Sequence, residues 1–176
     1  MVSQASRDKL ILIGFMGTGK SSVSRLLADK LGWLRLDADE EIERAEGRTI
    51  PEIFASDGEE AFRAIESRVL AGLINRKEPI VIATGGGAVL REENREAMLG
   101  GGFVVALACS AERIIARVKA DTERPLLQGD VESRVHALLE QRKGIYDFAH
   151  FSIDTTELTV EQVVENVLRE WKLHFN

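Results

Sequence analysis

The sequence predicts an α/β fold with a mainly parallel sheet, in which a phosphate-binding loop follows the first strand. Two observations carry this prediction. Five short apolar runs recur between segments with helical periodicity, and residues 14–21 fit the pattern G-x-x-x-x-G-K-[ST] directly after the first run. A chain of 176 residues, of which 44% are hydrophobic, suits one core, so we expect residues 1–176 to form a single domain.

Strands are predicted from short apolar runs, and helices from apolar residues spaced three and four apart. The predicted strands cover 10–13, 33–36, 80–83, 103–108 and 151–153. The predicted helices cover 21–31, 59–76, 92–99, 111–119, 131–148 and 160–173, with a shorter helical segment around 40–46. The last helix follows Thr159, which forms the spacing of a capping box with Gln162. The charged stretch 121–130 contains Pro125 and lacks a period, so it predicts an ordered loop or a lid.

The loop after the first strand is predicted to bind a nucleoside triphosphate. Glycines at positions 14, 17 and 19 allow backbone N–H groups to curl around phosphate oxygens. The helix that follows directs the positive end of its dipole at the same point. Lys20 would reach the β- and γ-phosphates, and Ser21 would offer its hydroxyl to Mg²⁺. A glycine turn without a ligand is disfavoured, because an amphipathic helix with Gly32 as its stop follows in the required order.

Two carboxylates, Asp37 and Asp39, follow the second strand. On an extended segment, side chains at i and i+2 point to the same side, and open α/β sheets bind ligands at the carboxyl ends of their strands. One carboxylate could organise Mg²⁺, and the other could accept a hydrogen bond or a proton from a substrate hydroxyl. Equally, both could cap the following helix. No acidic residue follows the third strand, which favours Asp37 as the residue that assists Mg²⁺ binding.

Three consecutive glycines, 85–87, follow the third strand. They indicate that backbone amides come close to a ligand, although a tight strand-to-helix turn also explains them. The arginines Arg63, Arg124 and Arg142 could meet anionic groups, but most arginines are simply solvated. The sequence contains neither an Asn-Lys-x-Asp guanine-binding motif nor an Asp-x-x-Gly switch, which disfavours a GTPase.

Composition excludes several classes of partner. The net charge of −6 gives no general attraction to nucleic acids or anionic membranes. The single cysteine, Cys109, cannot form an internal disulfide and fits a reducing cytosol. No apolar run approaches the roughly 18 residues of a membrane span, and no signal-peptide pattern follows Met1. We therefore expect a cytoplasmic protein without nucleic-acid or membrane partners.

Together these motifs resemble those of the shikimate kinase family over nearly the whole chain. The matching segments are 14–21, 36–39, 53–63, 83–87 and 124–127, and Arg142 with Tyr146. The resemblance implies a monomer that phosphorylates the 3-hydroxyl of shikimate, with ATP as co-substrate and one Mg²⁺ ion. It also implies a P-loop NTPase fold of the nucleoside-monophosphate-kinase type, in which three layers surround a five-stranded parallel sheet of order 2-3-1-4-5. A substrate-binding segment would lie near 38–67 and a lid near 120–131.

The resemblance further implies roles for single residues. Lys20, Asp39 and Arg124 would be catalytic: Asp39 would orient or deprotonate the substrate hydroxyl, and Arg124 would meet charge on the transferred phosphoryl group. ATP would be bound by Gly17, Thr18, Gly19, Lys20, Ser21, Ser22, Arg117, Arg124, Asp154 and Thr155. Arg63 and Arg142 would grip the substrate carboxylate. The remaining substrate contacts would come from Asp39, Gly85, Gly86, Gly87, Ile50, Phe54, Phe62 and Glu66. The metal would be held by Ser21 and Asp37.

Two alternatives remain at the level of sequence. Another small-molecule kinase, such as a gluconate kinase, shares the phosphate loop and the lid, but it is not expected to combine Asp-x-Asp, Phe-Arg and a triple glycine in this order. A non-catalytic sensing module derived from a kinase should have lost Lys20, Asp39 or Arg124, and all three are present.

Overall fold

The computed structural model describes residues 5–120 and 130–176, which form helices on both faces of one parallel sheet. The strands are β1 (Lys9–Gly14), β2 (Leu34–Asp37), β3 (Ile80–Ala83), β4 (Phe103–Ala108) and β5 (Phe151–Asp154). Their order is β2-β3-β1-β4-β5, and every pairing is parallel. The predicted fold class and strand order are confirmed.

The described residues contain eight α-helices and one short 3-10 helix. The helices are α1 (Lys20–Leu31), α2 (Ala38–Glu46), α3 (Ile50–Asp57), α4 (Glu59–Ile74), α5 (Glu92–Gly101), α6 (Ala111–Lys119), α7 (Val131–Gln141) and α8 (Val160–His174), and the 3-10 helix covers Ala88–Leu90. None of the helices in this part of the chain combines the length and the apolar character that crossing a membrane requires.

The core lies on the two faces of the sheet. Leu10 and Leu12 of β1 pack with residues of α1 and α8 on one face. Ile11 and Ile13 pack with residues of α4 and α5 on the other, as the alternation of side chains along a strand requires. The helices α2, α3 and α4 enclose a smaller apolar cluster of their own, formed by Ile42, Ile53, Phe62 and Ile65. The segment near 38–67 therefore has its own packing beside the main core.

Three details of the predicted elements are wrong. The segment after β2 turns into α2 at Ala38, so Asp39 lies in the first turn of a helix and not on an extended strand. The helix α3 was not predicted, although Thr49 and Glu52 form a capping box at its start. The helix predicted over 131–148 ends at Gln141, and turns follow, with Gly144 at φ +78°. Glycine adopts this left-handed conformation at little cost, so Gly144 suits the turns that follow the helix.

Candidate active site

The phosphate loop lies between β1 and α1, and its glycines have conformations that other residues rarely adopt. Gly14, Gly17 and Gly19 have φ of +146°, +77° and +98°. At Gly14, a Cβ atom would also lie 2.4 Å from the carbonyl oxygen of Leu107 in β4. The Lys20 Nζ donates to the carbonyl oxygens of Gly14 at 2.6 Å and Phe15 at 2.9 Å. The lysine therefore lies across the loop, at the N-terminal end of α1.

Two of the residues expected to bind ATP contact the backbone of this loop. The Arg117 Nη1 in α6 donates to the carbonyl oxygen of Gly17 at 2.7 Å. The Thr155 hydroxyl, which follows β5, donates to the carbonyl oxygen of Thr18 at 3.3 Å. Asp154 behaves differently: its exposed carboxylate accepts from the hydroxyl and the N–H of Thr156, and these hydrogen bonds lower its pKa. Asp154 therefore shapes a local turn, and its side chain is not part of the cavity lining.

A cavity of about 420 Å³ opens over the phosphate loop at the carboxyl ends of the strands. The residues expected at the site that line it are Gly17, Thr18, Gly19, Lys20, Ser21, Ser22, Asp37, Asp39, Gly85, Gly86, Arg117 and Thr155. Of the lining residues outside the expected set, Met16, Val23, Ala83 and Thr84 lie within two residues of expected ones in the sequence, and three others do not: Leu158, Val160 and Val163. They lie just before and within the first turn of α8, where the sequence showed only an amphipathic helix with its capping box.

The two carboxylates after β2 have different surroundings. The Asp37 Oδ1 accepts the backbone N–H groups of Asp39 at 2.9 Å and Glu40 at 3.2 Å, so the capping interpretation is confirmed for this residue. Asp39 lies in the first turn of α2 and lines the cavity, and its Oδ1 is 2.8 Å from the position that a Cβ at Gly85 would occupy. The expectation that both side chains share one face of an extended segment was therefore wrong, yet both line the cavity.

The three glycines after β3, residues 85–87, form a turn that side chains surround closely. A Cβ at Gly85 would lie 3.3 Å from the Oε2 of Glu66, and one at Gly86 would lie 3.3 Å from the Nη1 of Arg142. At Gly87, a Cβ would lie 2.4 Å from both terminal nitrogens of Arg63. The backbone of this turn thus touches two guanidinium groups and two carboxylates directly. At Gly87 above all, a residue without a side chain allows that approach.

Arg63 and Arg142 are buried, with 7% and 5% of their surfaces exposed. The Nη1 of Arg63 forms an ion pair of 2.8 Å with Glu66, and its Nη2 lies 3.6 Å from the more exposed Glu59. Within the described ranges, the buried Nε of Arg63 and the buried Nη1 of Arg142 have no hydrogen-bond partner. Buried charged donors without partners are costly, so a site that keeps two of them suits an anionic ligand.

Burial raises the pKa of Glu66, while the neighbouring arginines 63, 142 and 91 act in the opposite direction. The aromatic residues expected beside the substrate lie on the same side. The rings of Phe54 and Phe62 have centroids 4.7 Å apart, and the guanidinium of Arg63 lies over Phe62 at 5.2 Å. Phe54 and Phe62 do not line the cavity itself. Phe62 lies beside Arg63, which lies against the glycine turn.

Tyr146 holds the glycine turn in place through a hydrogen bond. Its hydroxyl donates to the carbonyl oxygen of Gly86 at 2.7 Å. Burial raises the pKa of this phenol, which therefore stays protonated and able to donate. The sequence placed Tyr146 among the matching residues without giving it a role.

The expected metal ligands can be tested by their chemistry. Ser21 and Asp37 line the same cavity and offer hard oxygen donors, which is the ligand type that Mg²⁺ prefers. Across residues 5–120 and 130–176, no group of three or more His, Cys, Asp or Glu side chains could hold a metal by itself. The catalytic role expected for Arg124, and most of the lid near 120–131, fall outside the described residues.

Comparison with known proteins gives a consistent result. The family model for shikimate kinase matches residues 16–172. A shikimate kinase from Thermodesulfovibrio yellowstonii is 47% identical over 164 residues, which are 93% of this chain and 94% of that protein. The structure of shikimate kinase from Acinetobacter baumannii in complex with shikimate has a TM-score of 0.87 at 40% identity, covering 92% of this chain and 90% of the other.

A gluconokinase from Sinorhizobium meliloti is also similar in structure. Its TM-score is 0.64 at 19% identity, and the match covers 98% of this chain and 94% of the other. At this level of identity the likeness concerns the fold alone. It shows that the rival kinase considered from the sequence shares the architecture, so the fold by itself does not separate the two.

Proposed function

Because the chain belongs to the shikimate kinase family, and so catalyses the ATP-dependent phosphorylation of shikimate on the route to the aromatic amino acids, we propose a role for each group of residues around the cavity. The observation that carries these assignments is the cavity of about 420 Å³, which has the phosphate loop on one side and Asp39 with the glycine turn on the other. Donor and acceptor substrates would meet between them.

The nucleotide side of the cavity binds the phosphates of ATP. The N-terminal end of α1, the loop N–H groups and Lys20 provide the positive field that this polyanion needs. Arg117 and Thr155 hold the loop through hydrogen bonds to its carbonyl oxygens, and Leu158 offers an apolar surface for the base. As a kinase that uses ATP, the enzyme needs a divalent metal, and we assign that metal as one Mg²⁺ ion.

Ser21 and Asp37 would hold this ion, with further ligands from the phosphates and from water. When bound, Mg²⁺ neutralises charge on the β- and γ-phosphates. The assignment of Asp37 is compatible with its role as a helix cap, because only its Oδ1 accepts the N–H groups of α2.

The acceptor side binds shikimate through its carboxylate. The guanidinium groups of Arg63 and Arg142 lie against the glycine turn, and each has one buried N–H group without a hydrogen-bond partner among the described residues. Planar guanidinium groups match a carboxylate well. Gly85, Gly86 and Gly87 bring their backbone close to the same ligand. The segment near 38–67 contributes Ile50, Phe54, Phe62 and Glu66 to this side and would close on the substrate, and the lid near 120–131 would exclude water.

The 3-hydroxyl oxygen of shikimate would attack the γ-phosphorus while the bond from that phosphorus to ADP breaks. Asp39 accepts a hydrogen bond from the hydroxyl and takes up its proton as the new O–P bond forms. Lys20 and Arg124 would neutralise the charge that spreads over the transferred oxygens. Positioning and charge neutralisation carry most of such a reaction, since its transition state is loose.

The test is ADP release with Mg·ATP in the presence of shikimate, of gluconate, or of no acceptor. We expect release that depends on shikimate, with phosphate on the 3-position as measured by ³¹P and ¹H NMR. Release with gluconate alone would favour the rival kinase. Binding of ATP without release for any acceptor would favour the sensing module.

We also propose that the enzyme acts as a monomer in the cytoplasm. The three large apolar side chains that are exposed within the described part of the chain, Leu34, Leu90 and Leu173, lie on separate elements and form no heptad pattern. Size-exclusion chromatography with light scattering should give a mass near the 19.5 kDa of one chain.

A further inference from the structure

Arg35, two residues before Asp37 on β2, joins three elements around the nucleotide side of the cavity. Its Nε donates to the Oγ of Ser24 in α1 at 3.1 Å. Its Nη1 lies 3.6 Å from the Oε1 of Glu40 in α2, and its Nη2 lies 3.6 Å from the Oδ2 of Asp37. The side chain is only 16% exposed. The charge of Arg35 is therefore held beside the carboxylate that we assign to the metal.

The Nη2 group of Arg35 is buried and, in the part of the chain that the structure describes, makes no hydrogen bond. The 3.6 Å to Asp37 is an ion-pair distance and too long for a hydrogen bond. The other end of the guanidinium is anchored through Ser24, which is fully buried and donates its own hydroxyl to the carbonyl oxygen of Ser21 at 2.8 Å. The phosphate-loop helix thus fixes Arg35 in place, and the group acts on Asp37 chiefly by its charge.

The two carboxylate oxygens of Asp37 have different partners. Its Oδ1 caps α2, and its Oδ2 faces the guanidinium of Arg35. A dication that uses this carboxylate meets a positive charge already paired with it, and like charges at such distances repel appreciably when partly buried. We infer that Arg35 is a positioning residue that holds a guanidinium against Asp37 and so limits the affinity of the nucleotide site for its divalent cation.

This inference rests on the proposed assignment of Asp37 to the metal site. It has a consequence for turnover, because a weaker hold on the cation favours the departure of the metal with the product nucleotide. A purely structural Arg35 would behave differently. It would link β2 to α1, and its loss would lower stability without changing the dependence of nucleotide binding on Mg²⁺.

The test measures the dissociation constant of ADP by calorimetry, once with saturating Mg²⁺ and once with EDTA. The dissociation constant with EDTA divided by the one with Mg²⁺ gives a ratio that rises as the protein couples the metal more strongly to the nucleotide. In Arg35→Gln, the loss of the charge should strengthen this coupling by about threefold to tenfold. Arg35→Lys keeps the charge and should stay near the wild-type ratio. Thermal unfolding of each variant establishes that it is folded.

Arg44→Gln is the matched control, since it removes the same charge from α2 at a side chain that is 71% exposed. It should leave the ratio unchanged. In an Asp37→Asn background, Arg35→Gln should no longer alter the ratio, because the carboxylate through which it acts is gone. Suppose that Asp37→Asn alters the ratio but Arg35→Gln leaves it unchanged or makes it smaller. The proposed role of Arg35 is then wrong, while the metal assignment of Asp37 stands. If Asp37→Asn itself leaves the ratio unchanged, the metal assignment of Asp37 is wrong and this inference fails with it.

Discussion

The guanidinium of Arg63 and the carboxylate of Glu66 form an ion pair of 2.8 Å within one turn of α4, and their side chains are only 8% and 2% exposed. Glu66 holds one terminal nitrogen of the arginine, while the buried Nε has no hydrogen-bond partner within 5–120 and 130–176. The second terminal nitrogen lies beside Gly87 and 3.6 Å from the Oε1 of Glu59. Glu66 therefore fixes the orientation of Arg63, and on the proposed function the rest of its guanidinium would meet the substrate carboxylate.

Glu66→Ala should weaken shikimate binding through Arg63. Without its partner the guanidinium is buried with an uncompensated charge, which costs about 3–5 kcal/mol of folding stability, and it loses its fixed orientation. We expect the KM for shikimate to rise by about tenfold or more, with the KM for ATP nearly unchanged. Steady-state kinetics with each substrate varied, together with urea unfolding, measure both effects.

Glu66→Gln and Glu59→Gln form the matched pair for this prediction. Each removes one negative charge near Arg63, but Glu66 is buried at 2.8 Å, whereas Glu59 is 59% exposed at 3.6 Å. Only the buried substitution should raise the KM for shikimate. Equal effects of the two would mean that charge near Arg63, and not its fixed orientation, controls binding.

Gly87→Ala should displace Arg63 directly. The new methyl group would lie 2.4 Å from both terminal nitrogens of the guanidinium, so the side chain has to move. We expect the KM for shikimate to rise by at least about tenfold, because small displacements of a binding group reduce its contribution steeply. Titration of shikimate into the protein, by calorimetry, gives the loss of affinity without depending on turnover.

Gly100→Ala is the control for a glycine without such a constraint. Near the end of α5, a Cβ at this position meets nothing within 4 Å. Alanine there should leave shikimate binding unchanged and raise stability by up to about 1 kcal/mol, as expected for a helical glycine. Wild-type affinity in Gly87→Ala would show that Arg63 does not need its observed place to bind the substrate.

These glycines also show how far the sequence could lead. The phosphate loop was predictable because its chemistry lies within eight consecutive residues between a strand and a helix. The arginines were not predictable from the residues alone. Arg63 and Arg142 lie 79 positions apart in the chain (142 − 63), and only their burial against the glycine turn distinguishes them from solvated arginines. The resemblance supplied their expected roles, which stay predictions, and the structure adds their burial and their contacts with the glycine turn.

Local structure was harder to predict where a helix starts or ends through a single residue. Asp37 caps α2, so Asp39 lies in the first turn of this helix. The prediction assumed that side chains alternate as on a strand, and that assumption could not place Asp39 in a helix. The apolar pattern of α7 continues to residue 148, but the chain leaves the helix after Gln141. The resulting turns bring Tyr146 to the carbonyl oxygen of Gly86.

Lys20→Ala should reduce kcat far more than it reduces the affinity for shikimate. The ammonium group lies across the phosphate loop, where it would stabilise charge on the transferred phosphoryl oxygens. We expect kcat to fall by at least about 10²-fold, as for other preorganised charges at a reacting group. Rapid-quench measurement of ADP formation, with shikimate affinity measured separately by calorimetry, distinguishes the two effects.

Lys30→Ala is the control on the same helix, since Lys30 lies exposed in the last turn of α1. It should have wild-type kinetics. The assignment of Lys20 to phosphoryl transfer would be wrong if Lys20→Ala turned over normally, or if its whole effect were a loss of shikimate affinity.

His150→Asn should reduce the loss of stability on acidification. The His150 Nδ1 accepts the backbone N–H of Val104 at 2.9 Å, its ring stacks on Phe103, and the ring of His174 lies 4.9 Å away. Burial, and secondarily the charge of His174, lower the pKa of His150. Its neutral form is thus preferred in the folded state, because protonation of Nδ1 would break the hydrogen bond to β4.

The sign of the pH effect follows from this direction. The contribution of His150 is complete above the ordinary histidine pKa of about 6.5 and is lost as the pH falls through the lowered value in the folded protein. Urea unfolding at a series of pH values from 8 to about 5 should give a smaller decrease for His150→Asn, whose Oδ1 can still accept from Val104. His136→Asn, at an exposed position of α7, should follow the wild type. Since Val104 lies near the start of β4 and the active site lies at the carboxyl ends of the strands, the pH dependence of kcat should be the same in the wild type and in His150→Asn. A parallel change in both profiles would mean that protonation of His150 reaches the site through the sheet.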